Sequence, residues 1–162
     1  MKRINLFLIA ALSLLLAACN TNEPNTGVQT CIVDDIEFSY FLKDTQGTIK
    51  STFSQGEILV IWLNVNNKRN ETINVNCQYF GRCYDNNNQV VEEMCSYIFP
   101  DTVPAYTTIL PGDTRGFAYA IFADAPSGKY HYQDPYVSIY FNRKESTKKG
   151  YVIPLTLNFK VK

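Results

Sequence analysis

The chain has 162 residues, with 15 basic side chains, 15 acidic ones and a single histidine. That balance argues against a nucleic-acid binder, which needs a basic face. The length suits one domain able to bury its own core, and 11 Tyr and 10 Phe favour pleated strands.

The first segment stands apart from the rest. Lys2 and Arg3 head an apolar run from Ile4 to Ala18, interrupted only by Asn5 and Ser13. The run is shorter than the ~20 residues a membrane-crossing helix needs. A positive head, a short apolar body and small residues at its end mark a secretory signal peptide. The run closes on Leu16-Ala17-Ala18-Cys19, which resembles the lipobox of bacterial lipoproteins. The resemblance implies a signal peptide over residues 1–18, cleavage before Cys19 and a diacylglycerol on the Cys19 sulfur. Palmitate-type chains would hold the protein to a membrane, each buried CH₂ contributing roughly 0.8 kcal/mol. The expected location is therefore the cell envelope, at the outer membrane, with surface exposure open. Residues 19–30 read as a lipid-anchored tether, because NTNEPNTGVQT holds too little apolar surface to order itself.

Residues 31–162 read as the folded domain, and their period is two nearly throughout. In IVDDIEFSYFLK, Ile36, Phe38, Tyr40 and Leu42 share a face, with Phe41 the exception. In EILVIWLNVNN, Leu59, Ile61, Leu63 and Val65 share one face, and Ile58, Val60 and Trp62 take the other. INVNCQY places Ile73, Val75, Cys77 and Tyr79 inward. CYDNNNQVV predicts two short strands around a turn, since Asn tolerates the left-handed conformation. A Pro-Gly turn precedes a strand through Phe117, Tyr119 and Ile121. YVSIYFN turns Val137, Ile139 and Phe141 inward. The last segment puts Tyr151, Ile153, Leu155, Leu157, Phe159 and Val161 on one face, with Pro154 marking an edge or a bulge. Residues 143–149 read as a solvated charged loop. No segment after residue 30 carries a helical period. The expected fold is all-β, an antiparallel immunoglobulin-like β-sandwich of about 7–9 strands.

Two resemblances bear on that fold. Ser127-Gly128-Lys129-Tyr130, with Asp124 before it, resembles the D-x-G-x-Y corner of such sandwiches, whose tyrosine hydroxyl ties the corner to backbone. The order G-E-I-L-V-I-W-L-N-V-N-N, Y-D-N-N-N-Q-V-V, L-P-G-D and S-G-K-Y resembles the intracellular proteinase inhibitor family, which is immunoglobulin-like. It covers roughly residues 53–132 and implies a loop offered to a protease, such as Asp101-Thr102-Val103-Pro104.

Cys31, Cys77, Cys83 and Cys95 remain after the anchor. An even count in an exported domain points to disulfides, with all three connectivities open. A bridge between Cys77 and Cys83 would need Gly81 to break the strand, since along an unbroken one they lie ~20 Å apart. No metal or other cofactor is expected, for the chain has no C-x-x-C and one histidine. His131 lacks an accompanying nucleophile motif. Asp34-Asp35 and Glu92-Glu93, if on strands, would point to opposite faces. No enzyme activity is expected.

The functional cue is aromatic. Trp62, Tyr130, Tyr132, Tyr136 and Tyr140 form a candidate binding surface, because exposed rings stack on sugars or anchor a partner. The expectation is a lipid-anchored, non-catalytic binding or adhesion module contacting glycan or protein. The alternative is a proteinase-inhibitor-like domain.

Overall fold

The computed structural model describes residues 27–95, 106–141 and 147–162. Among these residues, twelve strands and the 3-10 turn Glu92–Met94 follow in order. They are β1 (Gln29–Val33), β2 (Ile36–Lys43), β3 (Thr52–Phe53), β4 (Ile58–Asn67), β5 (Ile73–Tyr79) and β6 (Arg82–Asp85). After the 3-10 turn Glu92–Met94 come β7 (Thr107–Ile109), β8 (Thr114–Phe122), β9 (Gly128–Gln133), β10 (Tyr136–Phe141), β11 (Lys148–Val152) and β12 (Thr156–Val161).

The first sheet runs β1-β2-β4-β8, antiparallel throughout. Its inner face is the one the alternation predicts, with Ile36, Phe38, Tyr40, Leu42, Leu59, Ile61, Leu63 and Val65 all buried. β1 begins at Gln29, so two residues assigned to the tether belong to the sheet. Asp34 and Asp35 are not on a strand. Both have positive φ, 51° and 58°, and form the two-residue turn between β1 and β2. Successive left-handed residues match the twist of a tight hairpin, and Asp tolerates them.

The remaining strands form β11-β10-β5-β7 and β3-β12-β9-β6. These are two halves of one bent sheet. β5 continues into β6 across Phe80-Gly81, β9 into β10 across Asp134-Pro135, and β11 into β12 across residues 153–155. The three bends lie side by side. The Ile153 N–H donates to the Pro135 carbonyl at 2.8 Å. A β-carbon on Gly81 would overlap the Gln133 carbonyl. Gly81 has φ 97° and Asp134 φ 57°. Pro154, exposed between β11 and β12, marks the third bend. Counting each bent strand once, the sandwich has the number of strands the sequence predicts. One pair departs from the antiparallel rule, β12 lying parallel to β3.

The core fills the space between the sheets. Tyr151, Ile153, Leu155, Leu157, Phe159 and Val161 are buried as their spacing predicts. The Tyr40 hydroxyl crosses from the first sheet to donate to the Phe80 carbonyl at a bend of the second. The Tyr130 hydroxyl donates to the Pro126 carbonyl at 2.6 Å, four residues upstream, which is the corner that the Ser127–Tyr130 motif predicts.

Candidate functional site

The outer face of the first sheet carries one aromatic centre. β4 sends Trp62 outward, directly opposite Phe41 on β2 and Ala118 on β8. Phe41 and Trp62 stack at 6.4 Å with their planes 22° apart. The Trp62 ring lies across Gly116, where a β-carbon would come within 2.6 Å of it. The glycine is therefore what lets the indole lie down on the sheet. Trp62 Nε1 donates to Asn64 Oδ1 at 2.7 Å, which fixes the ring's orientation. Lys43 Nζ sits over the same ring, 4.2 Å from its centroid. Around this centre, Ser39 pairs with Asn64, and Glu37 with Asn66, on the same face. Along β8 the outward residues Thr114, Gly116, Ala118, Ala120 and Phe122 are all exposed. Small side chains there leave a flat shelf beside the indole.

The outer face of the bent sheet carries a second centre. Tyr136 is 39% exposed, and its ring lies across Gly150, where a β-carbon would overlap it. Tyr140 is half-buried, with Lys148 Nζ 5.6 Å from its centroid and the Tyr106 ring at 6.5 Å. The register slips between Tyr136 and Ser138, so Tyr79 comes opposite Tyr136. Tyr79 is half-buried and Phe80 takes the core place instead, which differs from the inward position that alternation predicts. Beneath this face Asn74 is 1% exposed. It accepts from the Thr108 hydroxyl at 2.8 Å.

Two of the five candidate surface residues do not belong to any surface. Tyr130 is 8% and Tyr132 0% exposed. Both point inward from β9 and pack on Phe159, at 5.7 and 5.4 Å. The Tyr132 hydroxyl donates to the Met94 carbonyl at 2.9 Å. The left-handed residue Asp134 and the buried Pro135 then shift the alternation by one, so even-numbered tyrosines point inward before the bend and outward after it. Trp62, Tyr136 and Tyr140 are thus divided between two faces and form no single patch. The residues that sequence reasoning missed are Phe41, Lys43, Asn64 and Gly116. Phe41 breaking the alternation was their one signal.

The four described cysteines, Cys31, Cys77, Cys83 and Cys95, are free thiols. Cys31 lies on β1, an edge of the first sheet, and Cys77 on β5 of the bent one. Three residues after Cys77, the Phe80 ring packs on Tyr119 of β8 at 4.2 Å, at the far edge of the first sheet from β1. Three strand spacings make about 14 Å, beyond the reach of a disulfide. Gly81 does break the strand after Cys77, yet the thiol that meets Cys83 is Cys95. The Cys83 N–H donates to Cys95 Sγ at 3.4 Å. Two bridges are therefore not brought together by this fold. Burial raises all four thiol pKa values, most strongly at Cys77 and Cys83.

His131 stacks on Tyr84 at 5.4 Å, and its burial lowers its pKa. Glu92 and Glu93 are exposed on the 3-10 turn rather than on a strand. Asp34 joins Lys149 and Tyr151, the latter hydroxyl at 2.9 Å. The Lys149 hydrogen bond, then that of Tyr151, holds the Asp34 carboxyl below its usual range. Beside it, Asp35, Arg69, Asn70 and Glu71 line a shallow cleft of about 320 Å³. Arg69 is committed there, to Glu71 at 2.7 Å and to the Asp34 carbonyl at 3.0 Å. Among the described residues no three His, Cys, Asp or Glu side chains gather to hold a metal. Cys19 and the Asp101–Pro104 segment lie outside the described residues.

No protein-family model matches the chain, and no curated protein matches it. Solved structures are similar in outline only. A structural-genomics target titled SoR45 aligns over 78% of this chain and 88% of its own, at 12% identity and a TM-score of 0.49. The C-terminal domain of wzt aligns over 86% and 80%, at 10% identity and 0.47. The ASH/PapD-like domain 7 of human CEP192 aligns over 86% and 96%, at 11% identity and 0.42.

Proposed function

We propose that the protein is a lipid-anchored, non-catalytic binding domain of the cell envelope that holds glycan on the outer face of its first sheet. The supporting observation is the Trp62 ring, laid down across Gly116 and steadied by Asn64. A flat indole stacks on the C–H face of a pyranose, and its size makes it an effective anchor. Asn64, Asn66 and Ser39 stand on the same face, with amide and hydroxyl groups that suit sugar hydroxyls. The exposed Ala118 and Ala120 beside the ring leave room for a chain of sugars to pass. Lys43 caps the ring and must swing aside, which its flexible stem allows. Attachment through Cys19 would carry this face at the end of a tether that stops before β1 at Gln29.

The test is a glycan array probed with the mature lipoprotein in detergent. The expected result is saturable binding that Trp62→Ala lowers at least tenfold and Tyr136→Ala leaves within twofold. Binding that survives Trp62→Ala and disappears with Tyr136→Ala would move the site to the bent sheet. No binding to any glycan would overturn the sugar reading. Labelled palmitate entering a Cys19→Ala variant would overturn the anchor.

A further inference from the structure

We propose that Cys83 and Cys95 are the disulfide-forming pair of this domain, while Cys31 and Cys77 stay thiols. The pairing does not depend on what the sheet faces bind. It rests on how the chain between β6 and the 3-10 turn is folded back. Asp85 closes a turn over Asn86–Asn88, its carboxylate accepting from the Asn87 and Gln89 N–H groups at 2.8 Å each. The returning strand makes a bridge between Tyr84 and Val90. The Val91 N–H donates to the Cys83 carbonyl at 3.0 Å. The 3-10 turn then reverses direction, with the Cys95 N–H on the Glu92 carbonyl at 2.9 Å. Met94 is fully buried and held through its carbonyl by the Tyr132 hydroxyl.

Each of these contacts serves to return Cys95 to Cys83. Its sulfur ends 3.4 Å from the Cys83 backbone nitrogen. Only the N–Cα, Cα–Cβ and Cβ–Sγ bonds separate that nitrogen from the Cys83 sulfur, so a side-chain rotation brings the two sulfurs together. Among the described residues, neither Cys31 nor Cys77 is brought to another cysteine in this way. Cys31 and Cys77 lie at opposite sides of the sandwich, as described above.

The chemistry is thiol–disulfide exchange with a disulfide donor, such as oxidised glutathione or an oxidised dithiol protein. Cys95 is the more exposed of the two thiols. Its thiolate attacks one donor sulfur, breaks the donor S–S bond and releases the first donor thiolate. The Cys83 thiolate then attacks the Cys95 sulfur of the mixed disulfide and expels the second. Two protons pass from the cysteines to the departing thiolates. The protein loses two hydrogens, and the donor is reduced to two thiols.

The test uses the full chain incubated with oxidised glutathione, quenched in acid and alkylated in denaturant. Glu92 and Glu93 lie between the two cysteines, so cleavage at glutamate places them on separate peptides. Mass spectrometry is expected to find those peptides linked and lighter by two hydrogens, with Cys31 and Cys77 alkylated. In a Cys95→Ser variant, Cys83 is expected to remain an alkylatable thiol. Cys83 and Cys95 both alkylated after oxidation would overturn the proposal. So would Cys83 linked to Cys31 or Cys77 in either protein.

Discussion

Tyr130 and Tyr132 on one side of a bend, and Tyr136 and Tyr140 on the other, share parity and composition and have opposite fates. The first two hold up the core, hydrogen-bonded to the Pro126 and Met94 carbonyls. The second two line an outer face, Tyr136 lying across Gly150. What separates them is one left-handed residue, Asp134, and the proline after it. A strand's side-chain period is two, so a single added residue exchanges its faces. In a bent sheet, then, a tyrosine's role is set by which side of the bend it occupies.

Substitutions on either side of the bend would sharpen that contrast, Tyr132→Ala with the largest effect. Tyr132→Ala is expected to cost about 3–5 kcal/mol, as for other large buried aromatics, read from a denaturant midpoint. Tyr136→Ala should cost no more than about 1 kcal/mol; a larger loss would mean that both tyrosines are structural. Asp134→Val should cost about 1–2 kcal/mol, because a β-branched residue resists positive φ, while Asp134→Gly should stay within about 0.5 kcal/mol of the parent. Tyr130→Phe removes the corner hydrogen bond alone and should cost about 1 kcal/mol.

The smallest effect is one of pH. Asp34 has a folded pKa below its unfolded value, through its hydrogen bonds to Lys149 and Tyr151. Its contribution is therefore present above the unfolded pKa of about 4, and is lost as pH falls through the depressed folded value. The pair is exposed and screened, so the effect is small. Melting temperatures taken between pH 5 and pH 2 should fall less for Asp34→Asn than for the parent. Equal slopes would remove Asp34 from the acid limb.

Where strands run straight, alternation in the sequence reads correctly. Every inward residue assigned along β2, β4 and β12 is buried. The reading failed where the backbone leaves the extended region. Asp34-Asp35 lie inside an alternating run, and Asp, which tolerates left-handed backbone, does not require it. Tyr130 and Tyr132 share the parity of Tyr136 and Tyr140, and the left-handed Asp134 before Pro135 resets it. Trp62 was legible as an outward ring, but its setting was not. Phe41, Lys43, Asn64 and Gly116 come from three strands and meet only through register. Register likewise separates Cys83 and Cys95 from the other two cysteines, which spacing alone could not do.

β12 lies between β9 and β3, paired on both sides, although it is the last strand in chain order. A chain delivered from its amino end can form the β1–β2 hairpin early. β3 lacks its partner until Thr156–Val161 has been delivered. Such long-range pairing makes folding slow and leaves unpaired edges open to other chains meanwhile.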